Sequence, residues 1–302
     1  MYIQGQNFNE LSALTMVGRR RIDHMNALIQ DVLHRDIPGD IIELGCWRGG
    51  VALFAAAAVA AYEASKPPVW WTKHGDGKNI NDRHIAASKH PQGRLVWLAD
   101  SFDGLPPVDL HHFPGDESHA DIGSKGEVLE ILRENSVQLV ARAADALEVT
   151  RRVRFLEGYF NDTLPAAIRK GTFGNSTSNL FSILRLDGDL YQSTLESLHY
   201  LYPFLSVGGH VVVDDFTDWE GCRQAVLDFR DAHGIESADE GLQVTWHDLR
   251  FDPARGEYTR GVWWTKQREV AYDPLDEGRP VFYGDGGMAR LPLVAEHPTR
   301  KF

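Results

Sequence analysis

Apolar residues in this chain recur in two rhythms, helical spacing and short continuous runs, and the two alternate along its length. Ile22, Met25, Leu28, Ile29, Val32 and Leu33 share one helical face, and the helix they predict ends before Pro38. Asp40-Ile41-Ile42-Glu43-Leu44 then reads as a short buried strand. Gly45-Cys46-Trp47-Arg48-Gly49-Gly50 and the Ala-rich run from Val51 to Tyr62 follow it, giving strand, glycine turn and helix. From Lys66 to about Arg94 the sequence turns polar around Pro67-Pro68, Gly75, Gly77 and Asn79, which predicts an inserted surface loop. Leu95 to Ala99 is the next strand, and Asp100 to Pro107 make a turn at its end.

The alternation continues. Glu127 to Ala146 predicts a helix, Arg154 to Gly158 the end of a strand, and Leu164 to Arg169 a short helix. Leu180 to Asp187 reads as a central strand, Thr194 to Phe204 as a helix, His210 to Asp214 as a strand and Gly221 to Ala232 as a helix. Two strands, Gln243 to His247 and Gly261 to Lys266, close the series as an antiparallel hairpin at one edge. Such units predict an α/β fold, a mostly parallel sheet with helices on both faces. The organisation expected is a helical segment at 1–38, one domain at 39–266 and an irregular tail at 267–302 carrying Pro274, Pro280, Pro292 and Pro298.

The chain has 302 residues, with 43 acidic against 31 basic side chains and a formal charge of −12. That balance argues against nucleic acid or an anionic membrane as the main partner, since both require clustered Lys and Arg. The longest apolar run, Val51 to Tyr62, falls short of the ~20 residues that span a bilayer. The first residues lack a basic stretch followed by an apolar one, so no secretion signal is expected and the cytoplasm is the default. Cys46 and Cys222 lack metal spacing and read as small buried residues. The 13 histidines, including His74, His84, His90 and His111-His112, show no ligand spacing and read mainly as solvated surface groups. Arg19-Arg20-Arg21 reads as a solvated helix face.

In an open parallel sheet, ligands bind beyond the carboxyl ends of the strands. Here those ends are acidic: Glu43, Asp100, Glu157, Asp187 with Asp189, and Asp214-Asp215. Trp47 stands where a second glycine would let a pyrophosphate approach, which disfavours a diphosphate cofactor. The turn still suits a ligand with a carboxylate, for the helix-start N–H groups, and an amine, for an acidic side chain. Asp100 is placed to accept from ribose hydroxyls, or else opens an Asx turn. Asp187, Asp214 and Asp215 repel one another unless a cation or an arginine, Arg185 or Arg223, relieves them. All-oxygen ligation points to Mg²⁺. Asp189 is a candidate general base, helped by a metal that acidifies a bound hydroxyl.

Four segments then carry a resemblance: Thr15-Met16-Val17-Gly18-Arg19-Arg20-Arg21-Ile22-Asp23, Pro38 to Gly50, Asp100-Ser101-Phe102-Asp103-Gly104-Leu105-Pro106, and Leu186-Asp187-Gly188-Asp189-Leu190-Tyr191 with Asp214-Asp215. In this order they resemble the macrocin O-methyltransferase (TylF/MycF/NovP-type) family over about residues 12 to 266. The resemblance implies a class I methyltransferase Rossmann-like fold with an N-terminal lid. It further implies an S-adenosyl-L-methionine- and Mg²⁺-dependent O-methyltransferase acting on a sugar hydroxyl of a small natural product.

By matching position, Asp187, Asp214 and Asp215 would hold the metal and Asp189 would be the base. The cofactor pocket would comprise Met16, Glu43, Gly45, Trp47, Arg48, Gly49, Asp100, Ser101, Phe102, Gly104, Gly158, Tyr159, Phe160 and Asp187. A homo-oligomeric assembly is expected. The 66–94 insertion and the tail after 267 depart from the family pattern. Two rival readings stand beside this one: a metal-dependent glycosyltransferase using Asp187-Gly188-Asp189 as a DxD motif, and a non-catalytic protein that binds the same cofactor.

Overall fold

The computed structural model describes residues 13–65, 93–111, 113–117, 135–174, 180–235, 241–244, 251–252, 257–258, 261–276, 280–283 and 287–290. Most of the 66–94 insertion lies outside them, as do residues 127–134 of the helix expected from Glu127.

Strands β1 (Asp40–Leu44), β2 (Val96–Asp100), β3 (Val153–Glu157), β4 (Phe181–Leu186) and β5 (Leu205–Val213) alternate with helices. The helices are α1 (Arg19–His34), α2 (Gly50–Ser65), α3 (Val137–Ala146), α4 (Phe160–Arg169), α5 (Tyr191–Leu201) and α6 (Glu220–Ala232). Near the end come the short β6 (Gln243–Val244), β7 (Phe251–Asp252), β8 (Glu257–Tyr258) and β9 (Val262–Thr265). One seven-stranded sheet runs β3-β2-β1-β4-β5-β9-β6. The first five strands are parallel, while β9 lies antiparallel to both β5 and β6. Strand order therefore reverses between β1 and β4, which opens a crevice at their carboxyl ends.

Side chains alternate across the sheet as the strand period demands. Ile41, Val96, Leu98, Ile183 and Val212 pack with α1, α2 and α3 on one face. Ile42, Leu44, Ala99, Leu184, Leu186, Val211 and Val213 pack with α4, α5 and α6 on the other. The Ala-rich face of α2, including Ala52, Ala55 and Ala56, lets that helix lie close to the sheet.

Several boundaries differ from the sequence reading, each for a local reason. Strand β5 starts at Leu205, five residues early, because a register shift lets Leu205 pair with Phe181 while His210 pairs with Ile183. The Ser-Val-Gly-Gly stretch between them, with Gly208 at φ +85°, hides this from hydrophobic periodicity. Helix α5 starts at Tyr191 and gives way at Tyr202–Phe204 to a 3-10 turn containing Pro203. Helix α4 starts at Phe160 rather than Leu164. The tail is not irregular throughout, since β10 (Pro280–Tyr283) and β11 (Gly287–Arg290) form an antiparallel pair. Both cysteines are free and buried, as expected.

The surface role assigned to histidine fails for three of them. His24, His199 and His210 are buried, and His210 bridges Asp31 at 2.8 Å and Thr265 at 3.0 Å across α1 and β9. Burial and the neighbouring His210 push His24 down to about 4. No helix among the described residues is long and apolar enough to cross a membrane.

Gly45 sits at the reversal point with φ +87°, and a Cβ there would lie 1.9 Å from the Asp187 carbonyl oxygen. Both the left-handed backbone and the contact exclude a side chain. Gly45→Ala is expected to lower the unfolding free energy by about 2–4 kcal/mol, measured by urea titration. A loss under ~0.5 kcal/mol would mean that the β1 and β4 loops part easily.

Candidate functional site

The crevice is organised around Arg185, a fully buried guanidinium one residue before the end of β4. Its Nη1 donates to Glu43 Oε1 at 2.8 Å and to Asp187 Oδ2 at 2.5 Å, and its Nη2 to Asp214 Oδ1 at 2.8 Å. Three strand ends, those of β1, β4 and β5, are thus tied by one side chain. The other Asp214 oxygen accepts from Arg21 of α1, whose second terminal nitrogen lies 3.8 Å from Asp218.

Arg21 corrects the reading of Arg19-Arg20-Arg21 as a uniformly solvated face. Arg19 and Arg20 are exposed, but Arg21 shares the stripe of His24, Met25 and Leu28 that turns inward. Of the two arginines weighed as partners for the aspartates, Arg185 takes that role. Arg223 instead lies 3.9 Å from Glu220 and over the Phe216 ring.

One oxygen from each of Asp187, Asp214 and Asp215 lies within 4.8 Å of the others. Burial pushes the Asp214 carboxyl up, but Arg21 and Arg185 outweigh it and hold it below the usual carboxylate range. Asp215 is raised well above that range by burial and by Asp189, Asp187 and Asp214. Asp189 is pushed up to about 8, by burial first and then by Asp187, against a hydrogen bond from the Trp219 indole. Glu43 is likewise pushed up to about 8 by burial, with Arg185 opposing, and among the described residues its buried Oε2 has no hydrogen-bond partner.

Six carboxylates, Glu43 and Asp187, Asp189, Asp214, Asp215 and Asp218, therefore face two guanidinium groups. The surplus is negative and built of hard oxygen donors, which fits a small dication such as Mg²⁺.

On the other side of the reversal, the glycine turn is stapled to β2. Asp100 accepts the Trp47 N–H with Oδ2 and the Phe102 N–H with Oδ1, each at 2.8 Å. Asp100 thus forms the Asx turn weighed above and also fixes the glycine turn. The Ser101 hydroxyl donates to the Gly104 carbonyl at 2.6 Å, and the Gly158 N–H to the Asp100 carbonyl at 2.8 Å. Tyr159 is the extended residue that starts α4, and the Phe160 ring lies against Gly188. The Trp47 ring is buried beneath the Arg48 guanidinium, 4.5 Å from its centroid.

Arg48 donates to the Ala13 carbonyl at 3.3 Å and Gly50 N–H to the Leu14 carbonyl at 2.8 Å, so the segment before α1 lies on this turn. Gly49 has φ +77°, with Val140 so close that no Cβ would fit. Met16 is 37% exposed. Trp47, Phe102 and Asp189 all adopt positive φ here, a concentration of strained backbone typical of ligand sites.

No pattern in the sequence marked Arg21 or Asp116 for these positions. Asp116 is buried in a short 3-10 turn, and its Oδ1 accepts the Tyr191 N–H at 2.8 Å, capping α5 directly after the Asp187–Asp189 loop. Gly221 is required beside it, since a Cβ would lie 2.0 Å from that oxygen.

A parallel sheet whose order reverses over a glycine turn, closed by an antiparallel strand and acidic at its strand ends, defines a class I methyltransferase. The profile of the Macrocin-O-methyltransferase (TylF) family matches residues 4–78 and 74–246. The chain belongs to that family and is an O-methyltransferase.

It is 34% identical over 233 residues to the demethyldecarbamoylnovobiocin O-methyltransferase of Streptomyces niveus, covering 77% of this chain and 73% of that one. It is 35% identical over 240 residues to the 8-demethyl-8-(2,3-dimethoxy-alpha-L-rhamnosyl)-tetracenomycin-C 4'-O-methyltransferase of Streptomyces olivaceus, covering 78% and 75%. The solved structure of the O-methyltransferase NovP superposes with a TM-score of 0.60 at 31% identity, over 85% of this chain and 84% of that one. This membership displaces the glycosyltransferase and non-catalytic readings.

Burial raises the Asp116 carboxyl from an ordinary 3.8 to about 6, against the N–H groups of Tyr191 and Gln192. The folded state therefore holds that proton more tightly than the unfolded chain, so stability falls as pH rises from about 4 through about 6. Asp116→Asn removes this titration. Its unfolding free energy relative to wild type is expected to improve by about 2–3 kcal/mol between pH 4 and pH 7 in paired urea titrations. A difference that stays constant with pH would show that Asp116 is not the titrating group.

Proposed function

We propose that this O-methyltransferase transfers the methyl group of S-adenosylmethionine to a hydroxyl of a sugar on a small natural product, with Asp189 as the general base and Mg²⁺ at Asp187, Asp214 and Asp215. The observation that carries the reading is the convergence of those three carboxylates beside Asp189 at the point where strand order reverses. The names of the relatives support the acceptor class, one of them naming a rhamnosyl-bearing tetracenomycin.

In this reading the glycine turn from Glu43 through Gly49, with Asp100 to Gly104 and Gly158 to Phe160, forms the cofactor crevice. The spare oxygen of Glu43 is available to an ammonium group. Asp100 fixes the crevice wall through Trp47 and Phe102, with the Asn135 amide 3.5 Å from its Oδ1, and in this reading the same carboxylate accepts from ribose hydroxyls. Residues 39–266 act as the catalytic domain. The N-terminal segment, with Met16 and Arg21, serves as a lid.

S-adenosylmethionine supplies an electrophilic methyl group and Mg²⁺ supplies positive charge that acidifies a bound hydroxyl. Everything else falls to the chain's own residues. Burial and the neighbouring Asp187 raise the Asp189 carboxyl above an ordinary aspartate, which makes its carboxylate a stronger base than one at the surface. Asp189 would take the hydroxyl proton as the oxygen bonds to the methyl carbon and the bond from that carbon to sulfur breaks, with S-adenosylhomocysteine as the leaving group. Arg185 and Arg21 keep Asp214 ionised, and the buried walls exclude water that would compete with the acceptor.

Asp189→Asn is expected to cut kcat by about a thousandfold while S-adenosylhomocysteine affinity, measured calorimetrically, stays within twofold. EDTA is expected to abolish turnover and added Mg²⁺ to restore it. Near-wild-type turnover in the variant removes Asp189 as base, and full activity in EDTA removes the metal.

A further inference from the structure

Two guanidinium groups meet the carboxylates of the crevice, and they are not equivalent. Arg185 is enclosed by the sheet and bonded to Glu43, Asp187 and Asp214, so its withdrawal would strand three carboxylates at once. Arg21 stands at the rim. Its Nη1 donates to Asp214 Oδ2 and lies 3.5 Å from the Asp214 carbonyl oxygen, while its Nη2 is 3.8 Å from Asp218, which is more exposed than Asp214.

Asp214 therefore has a guanidinium on each oxygen, Arg185 on Oδ1 and Arg21 on Oδ2. It is also one of the three carboxylates that converge within 4.8 Å. A dication ligated there would share Asp214 with two positive neighbours, and like charges in a buried site repel strongly. One of the two arginines has to yield. Arg185 is fixed by its other partners, whereas Arg21 has Asp218 beside it on the side nearer solvent.

The helix that carries Arg21 is weakest at that end. The first turn of α1 opens with Arg19-Arg20-Arg21, three cations at the positive end of the helix dipole, where anions are the stabilising choice. It contains no acidic residue, and its N-cap, Gly18, supplies no side-chain acceptor to the first N–H groups. Arg19 reaches Asp23 at 3.4 Å, but both side chains are exposed and such a pair contributes little. His24, Met25, Leu28 and Ile29 are buried and hold the body of the helix independently of this turn. The contact from Arg21 to Asp214 is thus a principal anchor of the first turn.

We propose that Arg21 and the divalent cation compete for Asp214, so that Arg21 sets the metal affinity of the site and cation binding frees the first turn of α1. This rests on the reading that Asp187, Asp214 and Asp215 hold Mg²⁺. Asp214 stays ionised throughout, because one positive partner replaces another.

The test follows metal binding and helix order rather than turnover, in the full chain without S-adenosylmethionine. In calorimetric titration with Mg²⁺ at fixed ionic strength, Arg21→Gln is expected to bind about tenfold more tightly than wild type. By linkage, saturating the wild type with Mg²⁺ is expected to speed hydrogen exchange of the Ile22 to Met25 amides by a comparable factor, with the amides of β4 unchanged. Ile22 donates to the Gly18 carbonyl at 3.2 Å, the first bond inside the helix. In Arg21→Gln, added Mg²⁺ is expected to leave that exchange as it was. A residue that merely braced α1 would alter the exchange but not the metal affinity.

A Mg²⁺ affinity in Arg21→Gln within twofold of wild type, or weaker, overturns the proposal, and so does wild-type exchange at Ile22 to Met25 that stays the same or slows on saturation. The wild-type measurement decides the matter if Arg21→Gln folds poorly. Asp215→Asn is expected to lose most of the Mg²⁺ binding. If it binds as wild type does, or if wild type binds none, the metal reading has failed and the role of Arg21 falls with it. If Asp215→Asn loses binding while Arg21→Gln gains none, only the competition is refuted.

Discussion

The structure depends on how a concentration of negative charge is kept inside a low-dielectric sheet. Four carboxylates lie at the buried ends of β1, β4 and β5, and Arg185 bonds to three of them while Arg21 closes on Asp214. Taking one member of such a buried set away from its partner costs about 3–5 kcal/mol, because the remaining charge is left without water or a counterion. The strand ends are therefore not free to drift. Arg185 sets their spacing, and that spacing leaves Asp187, Asp214 and Asp215 facing one another.

Arg21 adds a second consequence. It belongs to α1, outside the alternating strand and helix units, so the helix that precedes the sheet is bound to the centre of the site through its charge as well as through Met25, Leu28 and Ile29. The segment before α1 is anchored independently, through Arg48 to Ala13 and through Gly50 to Leu14. The docking of α1 and the charge balance of the carboxylates are thereby coupled. A helix docked by apolar contacts alone would carry no information about the state of the carboxylates.

Backbone geometry at the same place shows what the charge arrangement demands of its surroundings. Gly45 lets the β1 turn press against Asp187, and Trp47, Phe102 and Asp189 hold positive φ at a cost of about 1–3 kcal/mol each. Asp100 offsets part of this, since each of its oxygens fixes the N–H of one strained residue. Asp116 does the same for the start of α5, holding the Asp187–Asp189 loop from its far end.

The alternation of elements, the glycine turn, the acidic strand ends and the membership of the family were all legible in the chain, because each is a local pattern of residue types. The order of strands was implicit in the units but not their registers, which is why β5 began five residues before its hydrophobic run. Helix α1 was found from its apolar stripe, yet the inward turn of Arg21 was not, since a helical face ends where its neighbour's surface ends and a sequence does not show that neighbour. His210 was misjudged for the same reason: its partners, Asp31 and Thr265, come from elements far along the chain.

By itself, then, the sequence determined which residues could do the chemistry and at which end of the sheet they would gather. Only tertiary structure decided how they are paired: which arginine meets which aspartate, that Asp100 holds the glycine turn, and that Asp116 caps α5. Residue type and spacing specify local conformation, whereas the pairing of charges between strands depends on register, burial and distance, which exist only once the sheet has formed.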